Sequence, residues 1–233
     1  MIKAVKTRLD QLLFSRGLVS SRTRAQAIIM AGLVIVGDKK IDKPGTSVAE
    51  DAVIHIKGRD HPYVSRGGVK LAHALERFDL DPAGAVCADI GASTGGFADV
   101  LLRAGAAKVY AVDVGHGQLA WTLRRDDRVI VLERTNARYL TKAQIPEPLD
   151  WVVCDASFIG LQTILPAVMA LAKPGAMLTA LIKPQFEAGP DQVGKGGVVR
   201  DPSVHKAVCA RIRDWLTAMD WTVAGFQQYP PLS

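Results

Sequence analysis

Cysteine is scarce in this sequence, and its three thiols, Cys87, Cys154 and Cys209, are odd in number, widely spaced and embedded in apolar segments. That excludes a disulfide scaffold and predicts buried, reduced side chains of a cytoplasmic protein. The five histidines, His55, His61, His73, His116 and His205, show no ligand-like spacing among themselves or with cysteine. No structural metal is expected. Long apolar runs are missing as well: the longest uncharged stretch, residues 156–172, contains Pro166 and reads as an amphipathic core helix. Neither a membrane span nor, at Met1-Ile-Lys-Ala-Val-Lys6, a signal peptide is expected.

What is present is an apolar fraction of 48% in 233 residues, ample for a real core. Charge is unevenly spread. Residues 1–70 carry 13 Lys and Arg against 6 Asp and Glu, so nearly all of the net +6 belongs to the N-terminal piece. Such a concentration points to an anionic partner there, nucleic acid before a membrane surface.

Leu9, Leu12 and Leu13 at helical spacing end at Gly17, and a second helix from Ser20 or Ser21 turns Ala25, Ile28 and Ile29 inward before Gly32. Leu33-Val-Ile-Val36, a turn at Gly37-Asp38-Lys39-Lys40 and a strand at Ala52-Val-Ile-His-Ile56 follow. This compact satellite has too little core to be an enzyme by itself. The pattern Arg8-Leu-Asp-Gln-Leu-Leu13, Ser20-Ser-Arg-Thr-Arg-Ala25, Ala31-Gly-Leu-Val34 resembles the S4-type RNA-binding domain of ribosomal proteins and RNA-modifying enzymes. The resemblance implies that Arg8, Arg22, Arg24 and the Lys39/Lys40 turn lie on an RNA phosphate backbone. Arg66 is counted with them.

From Ser65 onward strands and helices alternate, which predicts a parallel, doubly wound α/β sheet. Strands are expected near 85–90, 108–113, 128–133, 151–154, 176–182 and 221–227. Helices are expected over 96–104, 117–125, 160–172 and 202–219. Residues 183–200 form the one long glycine-rich loop, and loops of that length in a compact domain usually carry function. The domains are read as 1–60 and 66–233, joined by a linker at 61–65.

Asp89-Ile-Gly-Ala-Ser-Thr-Gly-Gly-Phe97 is a glycine turn between strand and helix, where backbone amides approach a ligand closely. Its Gly91-x-x-x-Gly95-Gly96 spacing departs from the dehydrogenase pattern and, preceded by Asp89, resembles the S-adenosylmethionine turn of class I methyltransferases. Asp113, ending the next strand, can accept both hydroxyls of an adenosine ribose; it supports an adenosyl cofactor without choosing one. The cofactor set is therefore Asp89, Gly91, Ser93, Gly95, Gly96, Phe97, Asp113 and Asp155. Asp155 and Lys183 end two further strands, and Lys70 opens a helix whose apolar face is Leu71, Ala74, Leu75 and Phe78. All three are expected in one crevice. A lysine crowded by a second lysine and oriented by a carboxylate can act as a base toward a hydroxyl, which a 2′-hydroxyl needs if it is to attack a methyl group.

Together with Arg66-Gly-Gly-Val-Lys-Leu71, Cys154-Asp-Ala-Ser-Phe-Ile159, Lys183-Pro-Gln-Phe-Glu187 and Gly194-Lys-Gly-Gly-Val-Val-Arg-Asp201, these motifs resemble the haemolysin A (TlyA) family over nearly the whole chain. Family resemblance implies a Rossmann-like class I fold similar to FtsJ, S-adenosylmethionine as cofactor and ribose 2′-hydroxyls of cytidines in ribosomal RNA as substrate. It makes Lys70, Asp155 and Lys183 three members of a Lys-Asp-Lys-Glu tetrad. The glutamate is implied in a last strand beyond a segment that Tyr229-Pro-Pro-Leu-Ser233 begins, so the sequence is expected to stop short of it. Glu187 is a nearby carboxylate, but the pattern does not make it the replacement. Two other classes stay open: a membrane-lytic protein, for which there is neither a span nor a strongly amphipathic free helix, and an RNA-binding assembly factor with an inactive methyltransferase fold.

Overall fold

The computed structural model describes residues 6–19, 21–57 and 61–228. The expectations for residues 1–5, the middle of the connector and the segment 229–233 lie outside the described residues.

The N-terminal module runs β1 (Lys6–Arg8), α1 (Leu9–Ser15), α2 (Arg22–Met30), β2 (Val34–Val36), β3 (Lys39–Ile41), β4 (Ser47–Ala49) and β5 (Ile54–Ile56). Ser21 caps α2 by accepting a hydrogen bond from Arg24 N–H, and Gly17 and Gly32, both at positive φ, end the helices. Leu9, Leu13 and Ile29 are fully buried between the helices and the β-ribbon. Each contributes roughly 1.5–3 kcal/mol. The ribbon has β2 between β3 and β5, while β1 pairs with β4. Two details differ from expectation. Lys39 and Lys40 belong to β3, the hairpin turning on Gly37 and Asp38 alone, because Val36 pairs with Lys39. The short strands β1 and β4 carry no alternation long enough to detect.

The larger part continues with α3 (Gly67–Arg77), β6 (Val86–Ile90), α4 (Gly96–Arg103), β7 (Lys108–Val112), α5 (Trp121–Arg124), β8 (Val129–Leu132), β9 (Leu149–Cys154), α6 (Leu161–Ile164), α7 (Pro166–Met169), β10 (Ala172–Ala180), α8 (Pro184–Glu187) and α9 (Pro202–Ala218). Five parallel strands stand in the order β10-β9-β6-β7-β8. Alternate strand residues feed opposite cores. Cys87, Val109, Trp151 and Val153 meet α3, α4 and the Leu119–Leu123 segment, while Ala88, Ile90, Tyr110 and Cys154 meet α6, α7 and α9. Burial pushes the Cys87 and Cys154 thiols up to about 12; Cys209 is only half-buried, because α9 turns it toward the surface.

The chain leaves β6 first toward β7 and β8, then returns to build β9 and β10 on the other side. The crevice at that reversal, between the ends of β6 and β9, is where such sheets bind ligands. Several expected elements are shorter than their patterns suggested. Pro166 splits the expected 160–172 helix, since proline has no N–H for the ladder. The expected 117–125 helix reduces to α5 because Gly115 and Gly117 spend their backbone on a loop. Strand β10 stops at Ala180, leaving Lys183 three residues beyond it. The expected strand over 221–227 is not formed: no described strand lies beside it to complete a ladder. Among the described residues no helix is long and apolar enough to cross a membrane.

Candidate active site

The glycine turn leaves β6 with Gly91 at φ +79, Ser93 at φ +49 and Gly95 at φ +91. Gly91 and Ala92 both donate to the Val112 carbonyl, at 2.9 and 3.1 Å, which folds the turn over the end of β7. Asp89 is buried beneath it and accepts from Ala98 N–H in α4 at 2.9 Å, while its Oδ1 has no partner among the described residues and the residue lines the cavity above. Burial, reinforced by Asp155 and Asp113, pushes the Asp89 carboxyl up to about 7 against the opposing Ala98 hydrogen bond. Asp113 accepts from Ser93 N–H at 2.8 Å and Gly115 N–H at 2.7 Å.

Asp155 joins the lysines. Lys70 Nζ donates to Asp155 Oδ2 at 3.1 Å. Lys183 Nζ stands 2.7 Å from Asp155 Oδ1 as an ion pair, with an approach angle that directs its hydrogen bonds to the Asp155 carbonyl at 3.1 Å and Ser157 Oγ at 2.8 Å. Two cations thus share one carboxylate at the mouth of β9. A cavity of about 290 Å³ opens over them, lined by Lys70, Asp155, Lys183, Asp89, Gly91, Ser93, Gly96 and Phe97. Asp113 lines a neighbouring space of only about 10 Å³ with Gly115, Gln118 and Leu119, continuous with the first through Ala92 and Ser93.

The structure does not bring Gly95 into the cavity. A Cβ there would meet Leu123 at 2.2 Å and Leu119 at 2.8 Å, so this glycine serves the close packing of α5. Gly96 likewise lets α4 touch α3, a Cβ falling 2.8 Å from Gly68 N. Ser65 and Ser157 line the cavity without having been anticipated; single serines carry no periodic signal, although Ser157 does sit two residues after Asp155. Asp99 was also missed: it accepts from Val64 N–H at 2.9 Å and Arg103 Nε at 2.7 Å, tying the connector to α4.

Glu187 is not among the residues lining the cavity and is engaged elsewhere. Its Oε1 accepts from Leu161 N–H at 2.7 Å, capping α6, and Arg211 stands 3.7 Å from Oε2. Glu187→Ala is therefore expected to lower stability by about 1 kcal/mol, the worth of a helix cap, while leaving cofactor affinity at the parent value. Denaturant titration and calorimetry on the same variant check both halves.

Of the residues expected on RNA, Arg8 and Arg22 converge on Asp10. Arg24, Lys39, Lys40 and Arg66 are exposed, with the Lys40 stem lying across Gly32 at the end of α2.

A strand and a glycine turn at the reversal of a parallel sheet, with a Lys-Asp-Lys cluster lining the same polar cavity, are the architecture of a methyltransferase fold. The chain belongs to the FtsJ-like methyltransferase family, which it matches over residues 63–230, and residues 7–54 match the S4 domain. It is 46% identical over 228 residues to the 16S/23S rRNA (cytidine-2′-O)-methyltransferase TlyA of Mycobacterium tuberculosis, covering 97% of this chain and 85% of that protein. YqxC of Bacillus subtilis, a candidate rRNA methyltransferase, is also 46% identical, over 97% of this chain and 80% of its own length. A solved structure of a candidate hemolysin from Streptococcus thermophilus superposes with a TM-score of 0.71 at 42% identity, covering 95% of this chain and 82% of that one.

Proposed function

We propose that this chain is an S-adenosylmethionine-dependent RNA methyltransferase that modifies the ribose 2′-hydroxyl of cytidine in cytoplasmic ribosomal RNA. The observation that carries the reading is the Lys70–Asp155–Lys183 cluster on the same cavity as the glycine turn, in a chain whose other module is of the S4 type. Residues 1–60 deliver RNA and residues 66–233 carry out the chemistry.

The cavity fits the cofactor on one specific point: Asp89 Oδ1 is a buried acceptor without a partner among the described residues, suited to an α-ammonium. Bound there, S-adenosylmethionine would supply an electrophilic methyl group on a sulfonium. Gly91, Ser93 and Gly96 leave backbone exposed to it, Phe97 walls the cavity, and Asp113 would exchange its Ser93 and Gly115 amides for ribose hydroxyls. Lys183, held by Ser157 and the Asp155 carbonyl, takes the proton of the attacking hydroxyl. Asp155 orients both lysines. Among the described residues Lys70 has Asp155 as its only hydrogen-bond partner, which leaves two of its donors for substrate.

Incubating the protein with labelled cofactor and protein-free ribosomal RNA, then mapping the product, tests the reading. A 2′-O-methylcytidine is expected; label on a base, or none on RNA, would overturn it.

Asp89 adds a pH dependence. Its folded pKa, about 7, is raised above that of an ordinary carboxyl, so the folded state binds the proton more tightly. Stability of the free protein should therefore fall as pH rises from the carboxylate range to about 7. Cofactor affinity should do the opposite, rising by up to about tenfold per unit until Asp89 is ionised, then levelling. Calorimetry between pH 5.5 and 8.5 is expected to show this rise in the parent and a flat profile in Asp89→Asn.

A further inference from the structure

Asp10 is a fully buried charge, 0% exposed, at the start of α1 in a module with little core. Its Oδ1 accepts from Arg8 Nε and Gln11 N–H, both at 3.0 Å. Its Oδ2 accepts from Arg8 Nη2 at 3.0 Å, Gln26 Nε2 at 3.2 Å and Arg22 Nη2 at 3.4 Å. Five donors on one carboxylate satisfy it completely, and the Arg8 guanidinium above all holds its carboxyl far below the usual range. A buried ion pair is weak evidence for a stabilising role, since well-packed apolar residues commonly replace one without loss.

The two arginines are only half covered, with side chains 48% and 50% exposed. Arg8 gives Asp10 its Nε and one Nη2 hydrogen. Of the three hydrogens that remain, two lie on the Nη1/Nη2 edge, the other edge of the guanidinium able to grip an anion through two parallel bonds. That edge is kept clear by Gly45, where a Cβ would stand 3.2 Å from Arg8 Nη1. The 44–46 loop is tied down against it: Asp10 N–H donates to Pro44 O at 3.1 Å and Leu9 N–H to Thr46 O at 2.8 Å. Two guanidiniums on one carboxylate carry a net single positive charge, the complement of one phosphodiester.

We infer that Asp10 is a positioning residue for RNA: it locks Arg8 and Arg22 into a two-guanidinium clamp whose outer edges, that of Arg8 left open beside Gly45, take one phosphate of the RNA backbone. The inference rests on the RNA methyltransferase reading and deepens it, because rotamer freedom that Asp10 removes in the free protein is freedom that binding need not remove.

The test turns on sign. Asp10→Asn deletes a negative charge beside the arginines; if they act only as charge, RNA binding tightens and its salt dependence steepens. The clamp predicts the reverse, a loss of about tenfold despite the added positive charge, on the scale of one charge-assisted pair of hydrogen bonds. Arg8→Lys keeps the charge and still pairs with Asp10 but cannot fork, and is expected to weaken binding about tenfold with little change in salt slope. Gly45→Val covers the Nη1 edge without touching Asp10 and is expected to weaken binding to a similar degree. All are made in the whole chain and titrated with protein-free ribosomal RNA over a salt series, with thermal unfolding reporting that each folds. If Asp10→Asn does not fold, the other two variants decide. Asp10→Asn binding as tightly as the parent, or Arg8→Lys and Gly45→Val both matching it, overturns the clamp alone. A parent chain that binds no ribosomal RNA overturns the RNA reading and the clamp with it.

Discussion

Replacing Lys183 by arginine is expected to abolish methyl transfer nearly as completely as replacing it by alanine, each by about 10²- to 10⁴-fold, the usual contribution of a positioned base. Arginine keeps the charge and reach of lysine and can still meet Asp155 and Ser157, but it does not give up its proton in a protein. If Lys183 served only as a fixed positive charge, arginine would restore a large part of the rate and alanine would not. Single-turnover methylation on saturating RNA separates the two, because it reads the chemical step without product release. Cofactor affinity should be nearly unchanged in both variants, since Lys183 is spent on Asp155 and Ser157. Equal parent-like rates in both would make Lys183 a structural ion-pair partner and remove the chemical role from the whole cluster.

Gly91→Ala is expected to damage stability and activity together. The residue sits at φ +79, and a Cβ there would lie 2.9 Å from the Ala156 Cα, a backbone atom that cannot rotate away. The left-handed conformation alone costs about 1 kcal/mol with a side chain attached. Forcing the turn away from Ala156 adds overpacking of about 1–3 kcal/mol and displaces Asp155, the residue just before it, from both lysines. Stability should fall by about 2–4 kcal/mol, and cofactor binding and activity should fall with it. Gly84→Ala supplies the comparison: Gly84 has φ +73 but nothing within 4 Å, so it should lose only the conformational part. Equal losses at the two positions, measured by denaturant unfolding, would show that the contact with Ala156 is unimportant.

Much of this site was legible before any coordinates because the strands announce their own ends. Ala85 to Asp89 and Trp151 to Cys154 are short apolar runs that stop at carboxylates, and a parallel sheet places such stops on one rim. Lys183, read at the end of the next apolar run, and Lys70, at the start of a helix, were expected at the same crevice with the carboxylate orienting a lysine, and the structure bonds or pairs both lysines to Asp155. What stayed hidden depends on contacts across sequence distance. Glu187 looks like any acidic loop residue until Leu161 N–H is seen to need an acceptor. Asp10 reads as a solvated charge on a short helix, and only the packing of α2 brings Arg22 and Gln26 against it. Pro166 was visible, yet its place inside an otherwise continuous apolar pattern concealed the break between α6 and α7. The segment 221–227 shows the converse error, since β-forming residues make a strand only when another backbone lies alongside.

Asp155 is bonded to a lysine 85 positions before it and to another 28 positions after it. During synthesis the chain therefore presents its basic N-terminal module first, then Lys70, then the glycine turn and the carboxylate, and obtains Lys183 only after β10 has been laid against β9. No nascent intermediate ending before that strand holds a complete set of charges. An enzyme whose substrate is the RNA of the machine that makes it would then emerge able to touch that RNA well before it is able to alter it.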